Sequence, residues 1–285
     1  MDPIAPVSSP LRRAAPLDDA ARDRLADLFG SLCLEAGAAI MAVYRKGCEN
    51  VRVKADRSPV SEADEIGEAV ILRGLSAHAP DLPIVAEESC ARDGKPPVTD
   101  RYILVDPLDG TREFLSRNGE FTVNIGLVDG GVPVAGAVYA PVIGRLWVAG
   151  RTAFAATVSP GQSLASAADR RSLRTRPAAG SGWTALASRS HADPSTEAFL
   201  SRLPIGERRS AGSSVKFCVL ADGDADVYPR FGPTMEWDTA AADAVLRAAG
   251  GIVLQPDGTP FGYGKPGYRN GPFVAWADPS AVVTA

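Results

Sequence analysis

Asp106-Pro107-Leu108-Asp109-Gly110-Thr111 closes the apolar run Tyr102-Ile103-Leu104-Val105, and the fold of the chain turns on how that junction is built. The run has the composition of a short buried strand. Pro107 cannot donate to a ladder, so a regular strand ends near Asp106. Gly110 lets the backbone turn sharply. Asp106, Asp109 and the Leu108 carbonyl can then converge on one point, and such hard oxygen donors suit Mg²⁺. By itself the segment is also an ordinary turn composition, because Asp, Pro and Gly each favour turns.

Upstream, apolar residues recur at Leu25, Phe29, Leu32, Ala36 and Ile40, which predicts a helix over 18–44. A second helix is expected over 61–77, with Ile66, Ala69 and Val70 inward, and a short strand over 83–86 ends at Glu87-Glu88. Downstream, 121–128 and 132–139 flank the turn Asp129-Gly130-Gly131 and read as an antiparallel meander with 146–149. Residues 156–181 are rich in Ala, Ser, Arg, Gly and Pro and read as an exposed connection with room for a short helix. Strands are expected at 183–187, 226–228, 252–254 and 272–276. A helix is expected over 237–249, stopped by Gly250-Gly251. Helices and strands are mixed rather than strictly alternating, which favours an α+β layered sandwich over a doubly wound parallel sheet. The expected division is a flexible tail over 1–16, an N-terminal α+β subdomain over 17–180 and a C-terminal α/β subdomain over 181–285.

Composition narrows the function. With 285 residues the chain can bury one large core or two closely packed ones. A net charge of −4 excludes a general binder of nucleic acid polymers, which needs a basic surface. Cys33, Cys48, Cys90 and Cys218 are scattered without a C-x-x-C pair and read as free thiols. His78 and His191 are the two histidines, too few for a zinc site of the usual His/Cys kind. The N-terminal residues lack the apolar stretch of a signal peptide, and no run is expected to reach the length of a membrane span. The expected location is cytoplasmic, with peripheral contact at the inner membrane left open. Composition does not specify an oligomeric state.

Two further acids have ordinary readings of their own. Asp238 falls in the first turn of an expected helix, where it would offset the helix dipole. Asp64 stands three residues after Ser61, the spacing of a capping-box acid. Their joint occurrence with the junction is what carries weight. Glu87-Glu88-Ser89, Asp106-Pro107-Leu108-Asp109-Gly110-Thr111 and Trp237-Asp238-Thr239-Ala240-Ala241, in that order, resemble the three motifs of the inositol monophosphatase superfamily. The flanks 109–114, 118–125 and 228–238 are similar to its bacterial 3′(2′),5′-bisphosphate nucleotidase branch. The resemblance runs from about Ser31 to the C-terminus.

That resemblance implies a layered αβαβα sandwich and a Mg²⁺-dependent phosphomonoesterase with two or three ions per site. It implies Glu87, Asp106, the Leu108 carbonyl, Asp109 and Asp238 as metal ligands. Asp64 and Thr111 match the pair that orients and deprotonates the attacking water, and the amides of Gly110 and Thr111 match phosphate contacts. Ser190, His191, Ser213, Lys216 and Arg230 are expected to face the nucleotide or its second phosphate. The implied substrate is a small phosphorylated nucleotide, 3′-phosphoadenosine 5′-phosphate. The alternatives are an inositol or sugar-phosphate phosphatase of the same superfamily and a non-catalytic metal- or nucleotide-binding regulator. The Asp64/Thr111 pair argues against the last, which has no need to activate water.

Overall fold

The structure, a computed structural model, describes residues 17–47, 51–53, 59–188 and 193–284. Helix α1 (Asp19–Lys46) opens it, with Asp18 as N-cap accepting from the Ala21 amide at 2.6 Å. Strands β1 (Val51–Val53) and β2 (Pro59–Ser61) form an antiparallel pair leading into α2 (Glu62–His78). Then come β3 (Ile84–Ala86), α3 (Glu87–Asp93), β4 (Arg101–Asp109) and the short α4 (Thr111–Leu115). The meander follows as β5 (Thr122–Asp129), β6 (Val132–Ala140), β7 (Arg145–Ala149), β8 (Ala153–Thr157) and β9 (Ala168–Ser172). Strands β3 to β9 make one seven-stranded sheet in sequence order, antiparallel except for β3 beside β4.

The remainder begins with β10 (Trp183–Ser188), α5 (Pro194–Leu200), β11 (Ile205–Ala211), α6 (Val215–Ala221) and β12 (Val227–Arg230). It ends with β13 (Thr234–Met235), a 3-10 turn over Glu236–Asp238, α7 (Ala240–Ala248), β14 (Ile252–Leu254), β15 (Arg269–Asn270) and β16 (Phe273–Trp276). A second, five-stranded sheet has the order β11-β10-β12-β16-β14.

Three apolar cores show how these elements stack. The first lies between α1, α2 and one face of the large sheet, with Phe29, Leu32, Ile40 and Ile71 against Val123, Ile125 and Tyr139. The second fills the middle, where α6 and α7 sit between the two sheets. The third covers the far side of the small sheet, where Phe199 and Leu200 of α5 meet Trp183 and Trp276. Helix, sheet, helix, sheet, helix is the αβαβα sandwich expected. Packing α7 on the large sheet requires glycine there. A Cβ on Gly126 would lie 2.7 Å from the Ala241 amide nitrogen, and one on Gly136 2.5 Å from the Ala241 carbonyl oxygen. Both distances are below any real contact, so these two glycines let α7 lie directly on β5 and β6.

Several details depart from the sequence expectations. The 156–181 connection contains β9, exposed along its whole length at the sheet edge, and a 3-10 turn over Leu164–Ser166. Helices α3, α5 and α6 and strand β11 were not anticipated, since each is short or carries a mostly polar pattern. By length and composition α1 is apolar enough to cross a bilayer, contrary to the expectation from sequence. In the fold, much of its apolar surface is buried against the large sheet and α2. Cys33, Cys90 and Cys218 are free and buried. Cys48 and residues 1–16 lie outside the described residues.

Candidate active site

The junction that opens the sequence reading is a β-bulge. Asp106 pairs with Asn124 and Asp109 with Thr122, so Pro107 and Leu108 together oppose Val123 alone. Such a bulge bends the strand and re-aims its side chains. Asp106, 1% exposed, accepts from its own Leu108 amide at 3.0 Å. Gly110 has φ +98°, a left-handed conformation that L side chains rarely adopt. It ends the strand and starts α4. That helix is held down by an aromatic triad in which Tyr44, Phe114 and Phe121 have ring centroids 5.1 Å apart in each pair.

Helix α2 brings Asp64 to this bend. One carboxylate oxygen, Oδ2, accepts from the Ser61 amide at 2.8 Å and the Ser61 hydroxyl at 2.6 Å, closing a capping box. The other, Oδ1, accepts from the Thr111 hydroxyl at 3.0 Å. Asp64 therefore caps its helix with one oxygen and addresses the site with the other. It is 1% exposed, so this orientation is fixed by packing as well as by hydrogen bonds.

Three elements contribute the remaining acids. Glu87 begins α3, Asp106 ends the regular part of β4, and Asp238 ends the 3-10 turn before α7, where it accepts from the Met235 amide at 2.8 Å. One carboxylate oxygen from each of Glu87, Asp106 and Asp238 lies within 4.8 Å of the others. Asp109 lines the same cleft and accepts from the Ser213 hydroxyl at 2.6 Å. Burial lifts the Asp238 carboxyl well above the usual aspartate range, and the neighbouring charges of Asp109 and Glu87 lift it further. Burial likewise raises Asp109, while the Ser213 hydrogen bond and the Lys216 charge pull it back. An all-oxygen donor set whose members repel one another fits a hard divalent cation.

The cleft encloses about 250 Å³. Besides the acids its wall carries Arg112, Ser213, Lys216 and Arg230, with Tyr228 and Phe273 as aromatic surface. Lys216 is 2% exposed, and its Nζ donates to the Ser213 carbonyl at 2.6 Å and the Ala211 carbonyl at 3.0 Å. It thus holds the 211–213 loop while lying at the cleft wall. The Ser213 hydroxyl, expected to face the nucleotide or its second phosphate, is turned onto Asp109 instead. Arg230 donates through one terminal nitrogen to the Pro233 carbonyl at 3.2 Å. Ser190 and His191 lie outside the described residues.

Sequence reasoning overlooked Arg112 and Ser214 in the cleft wall, and Thr122 and Asn124 behind it. The signal was present for two of them. Thr122 and Asn124 alternate with Val123 and Ile125, so a polar pair occupies one face of a buried strand, an arrangement that requires partners.

The layered sandwich with an acidic bulge at the mouth of its cleft defines a class of metal-assisted phosphatase folds, and comparison with known proteins agrees. The profile of the inositol monophosphatase family matches residues 22–279, and the chain belongs to that family. It is a metal-dependent phosphatase, with Mg²⁺ the general cofactor of such enzymes. It is 42% identical over 252 residues to the 3′(2′),5′-bisphosphate nucleotidase CysQ of Escherichia coli K12, an alignment covering 85% of this chain and 98% of that one. Among solved structures, CysQ from Bacteroides thetaiotaomicron is similar with a TM-score of 0.72 and 37% identity, over 89% of this chain and 97% of that one. The inositol monophosphatase of Anabaena sp. PCC 7120 has a TM-score of 0.69 at 26% identity, over 90% and 91% of the two chains.

Proposed function

We propose that this chain is a cytoplasmic 3′(2′),5′-bisphosphate nucleotidase that hydrolyses 3′-phosphoadenosine 5′-phosphate to AMP and phosphate. The observation that carries the reading is the convergence of Glu87, Asp106 and Asp238 within 4.8 Å, beside the Asp64–Thr111 hydrogen bond. Similarity to bisphosphate nucleotidases over most of the chain supports the substrate class.

Glu87, Asp106, the Leu108 carbonyl, Asp109 and Asp238 would hold two or three Mg²⁺ ions. Bound Mg²⁺ lowers the pKa of a coordinated water and stabilises the charge of the leaving alkoxide. Thr111 orients the attacking water by accepting its proton. The Thr111 hydroxyl proton already points at Asp64, so it passes to that carboxylate as the water is deprotonated. Asp64 stays in line because Ser61 holds its second oxygen. The amides of Gly110 and Thr111, at the open end of α4, hold the phosphoryl oxygens. Arg112, Lys216 and Arg230 surround the anionic substrate with positive charge in a protein whose net charge is −4.

The test is phosphate release from 3′-phosphoadenosine 5′-phosphate, inositol 1-phosphate and a sugar phosphate, each with Mg²⁺ and with EDTA. Preferred turnover of the bisphosphate with Mg²⁺ is expected. Preferred turnover of inositol 1-phosphate would replace the nucleotide reading by the inositol one, and no turnover of any would leave a binding protein.

A further inference from the structure

Behind Asp109 the structure places an unbroken row of polar side chains. Asp109 Oδ2 is 2.6 Å from Ser213 Oγ, which is hydrogen-bonded to Thr122 Oγ1. Thr122 Oγ1 is 2.9 Å from Ser214 Oγ, and Ser214 Oγ is 2.8 Å from the Asn124 amide oxygen. Thr122, Ser214 and Asn124 are 0%, 3% and 1% exposed, so bulk solvent does not reach them. The row crosses between the two sheets' chain segments. Thr122 and Asn124 stand on β5 directly across from Asp109 and Asp106, whereas Ser213 and Ser214 belong to the loop before α6.

The proton count of this row is uneven. It has four contacts. As a metal ligand, Asp109 is a carboxylate and can only accept, so the Ser213 proton goes to it. With the Asn124 carbonyl facing Ser214, the Ser214 proton goes to Asn124. Thr122 is then left with one proton for two oxygen–oxygen contacts, and one of them has none. The Asn124 amide nitrogen, meanwhile, has no hydrogen-bond partner among the described residues. A buried donor without an acceptor is rare and costly, more so than an under-used carbonyl. Rotating the amide by half a turn exchanges its oxygen and nitrogen, two atoms whose assignment follows from the network around them. Every contact then carries one proton.

From this geometry we infer that Asn124 donates to Ser214 and so sets the direction of a hydroxyl relay, Asn124 to Ser214 to Thr122 to Ser213 to Asp109, that holds the Asp109 carboxylate toward the cleft. Asn124, Ser214 and Thr122 are positioning residues that act on this acid through Ser213, with Ser214 also in the cleft wall. Lys216 supports the relay by clamping the Ala211 and Ser213 carbonyls, which keeps Ser213 in its left-handed backbone conformation at φ +53°. The inference rests on the reading of Asp109 as a metal ligand, and it ties that ligand to the loop before α6.

Neutron diffraction from wild-type crystals grown with Mg²⁺ and exchanged into D₂O reads the direction. Deuterons on Asn124 pointing at Ser214, and on Ser213 pointing at Asp109, are expected. A Ser214 deuteron pointing at Asn124 would overturn the inference. Calorimetric titration with Mg²⁺ provides the second arm, on wild type, Thr122→Val and Thr122→Ser. Valine keeps the shape and removes the hydroxyl, and serine keeps the hydroxyl and removes a methyl. The relay requires Mg²⁺ affinity to fall about three- to tenfold in Thr122→Val, the scale of one lost hydrogen bond near a charge, and to stay within about twofold of wild type in Thr122→Ser. The reverse order would show that Thr122 acts through packing and would refute the relay. Wild type that takes up no Mg²⁺ would overturn the metal-ligand reading and the inference with it. Uptake is read by calorimetry and direction by the deuterons, so that failure is told from a wrong relay direction.

Discussion

Glu236 and Asp238 are two residues apart on one 3-10 turn, yet they face opposite kinds of environment. Glu236, fully buried, accepts from the Tyr102 hydroxyl at 2.9 Å, the Gly264 amide at 3.1 Å and the Lys265 amide at 2.8 Å, with the Lys265 ammonium 3.1 Å away. Nearby, Asp243 is paired with Arg247 at 2.7 Å and bonded to Tyr263 at 3.1 Å. Here the protein carries its own cations and donors. Asp238 faces Asp109 and Glu87, whose charges oppose its ionisation. The contrast separates an acid answered within the fold from one that is not. An acid answered by internal cations holds the fold, and an acid set among other acids requires a cation from solution.

The largest expected effect probes the second kind. Asp109→Asn should lower phosphate turnover by about 10³-fold or more at saturating Mg²⁺, while the metal-free variant unfolds no earlier than wild type, because carboxylate repulsion is relieved. Wild-type-like turnover in this variant would break the contrast at once. Thr111→Ala tests the acid that serves both purposes. It should lower kcat about 10²-fold with the Mg²⁺ midpoint of activation unchanged, since the capping bonds of Asp64 to Ser61 do not involve Thr111. A shifted Mg²⁺ midpoint with little change in kcat would move Thr111 from proton transfer to metal binding.

Glu236→Gln should do the opposite of Asp109→Asn. It keeps the shape but leaves the Lys265 ammonium facing a neutral amide, so urea unfolding should show a loss of about 2–3 kcal/mol. Turnover per folded molecule should be near wild type. The smallest effect is in pH dependence. The folded-state pKa of Asp238 is raised above the ordinary 3.8, so its contribution to stability is fully present below that value and is lost as pH rises through the raised one. In EDTA, wild type should lose thermal stability relative to Asp238→Asn as pH rises from about 4 toward neutrality, and Mg²⁺ should remove the difference for wild type. Parallel melting curves for the two proteins at every pH would show that Asp238 is compensated internally after all.

The sequence disclosed the parts of the site that are contiguous. A break at Asp106–Asp109 was legible from Pro107 and Gly110, but the strand expected to end near Asp106 resumes at Asp109 past a bulge. The order of layers came from the family resemblance, and the inward face expected for the second helix was wrong, because Ile66 and Ala69 are exposed. The partners of Glu236 were not legible, since Tyr102, Gly264 and Lys265 come from separate turns with no shared period. The same holds for the row from Asp109 to Asn124. Thr122 and Asn124 announced a polar face, but nothing local identifies Ser213 and Ser214 as what meets it. Short α6 and β11 escaped because seven residues hold too little periodicity to separate helix from strand. Asp64 is the instructive case, in which the capping-box reading and the site reading describe two oxygens of one side chain.

The close seat of α7 on Gly126 and Gly136 also has a direction in time. During synthesis Asp64, Glu87, Asp106 and Asp109 leave the ribosome early, whereas Asp238 and the helix that anchors it to β5 and β6 emerge near the end. A nascent chain halted before Asp238 has a large sheet without α7 on its inner face and an acid set lacking one member. A cation held by the whole set would therefore act as a late clasp, closing only after α7 has docked. Limited proteolysis of stalled chains should show protection by Mg²⁺ only once α7 is clear of the exit tunnel, and protection of shorter chains would show that the early acids suffice to capture the ion.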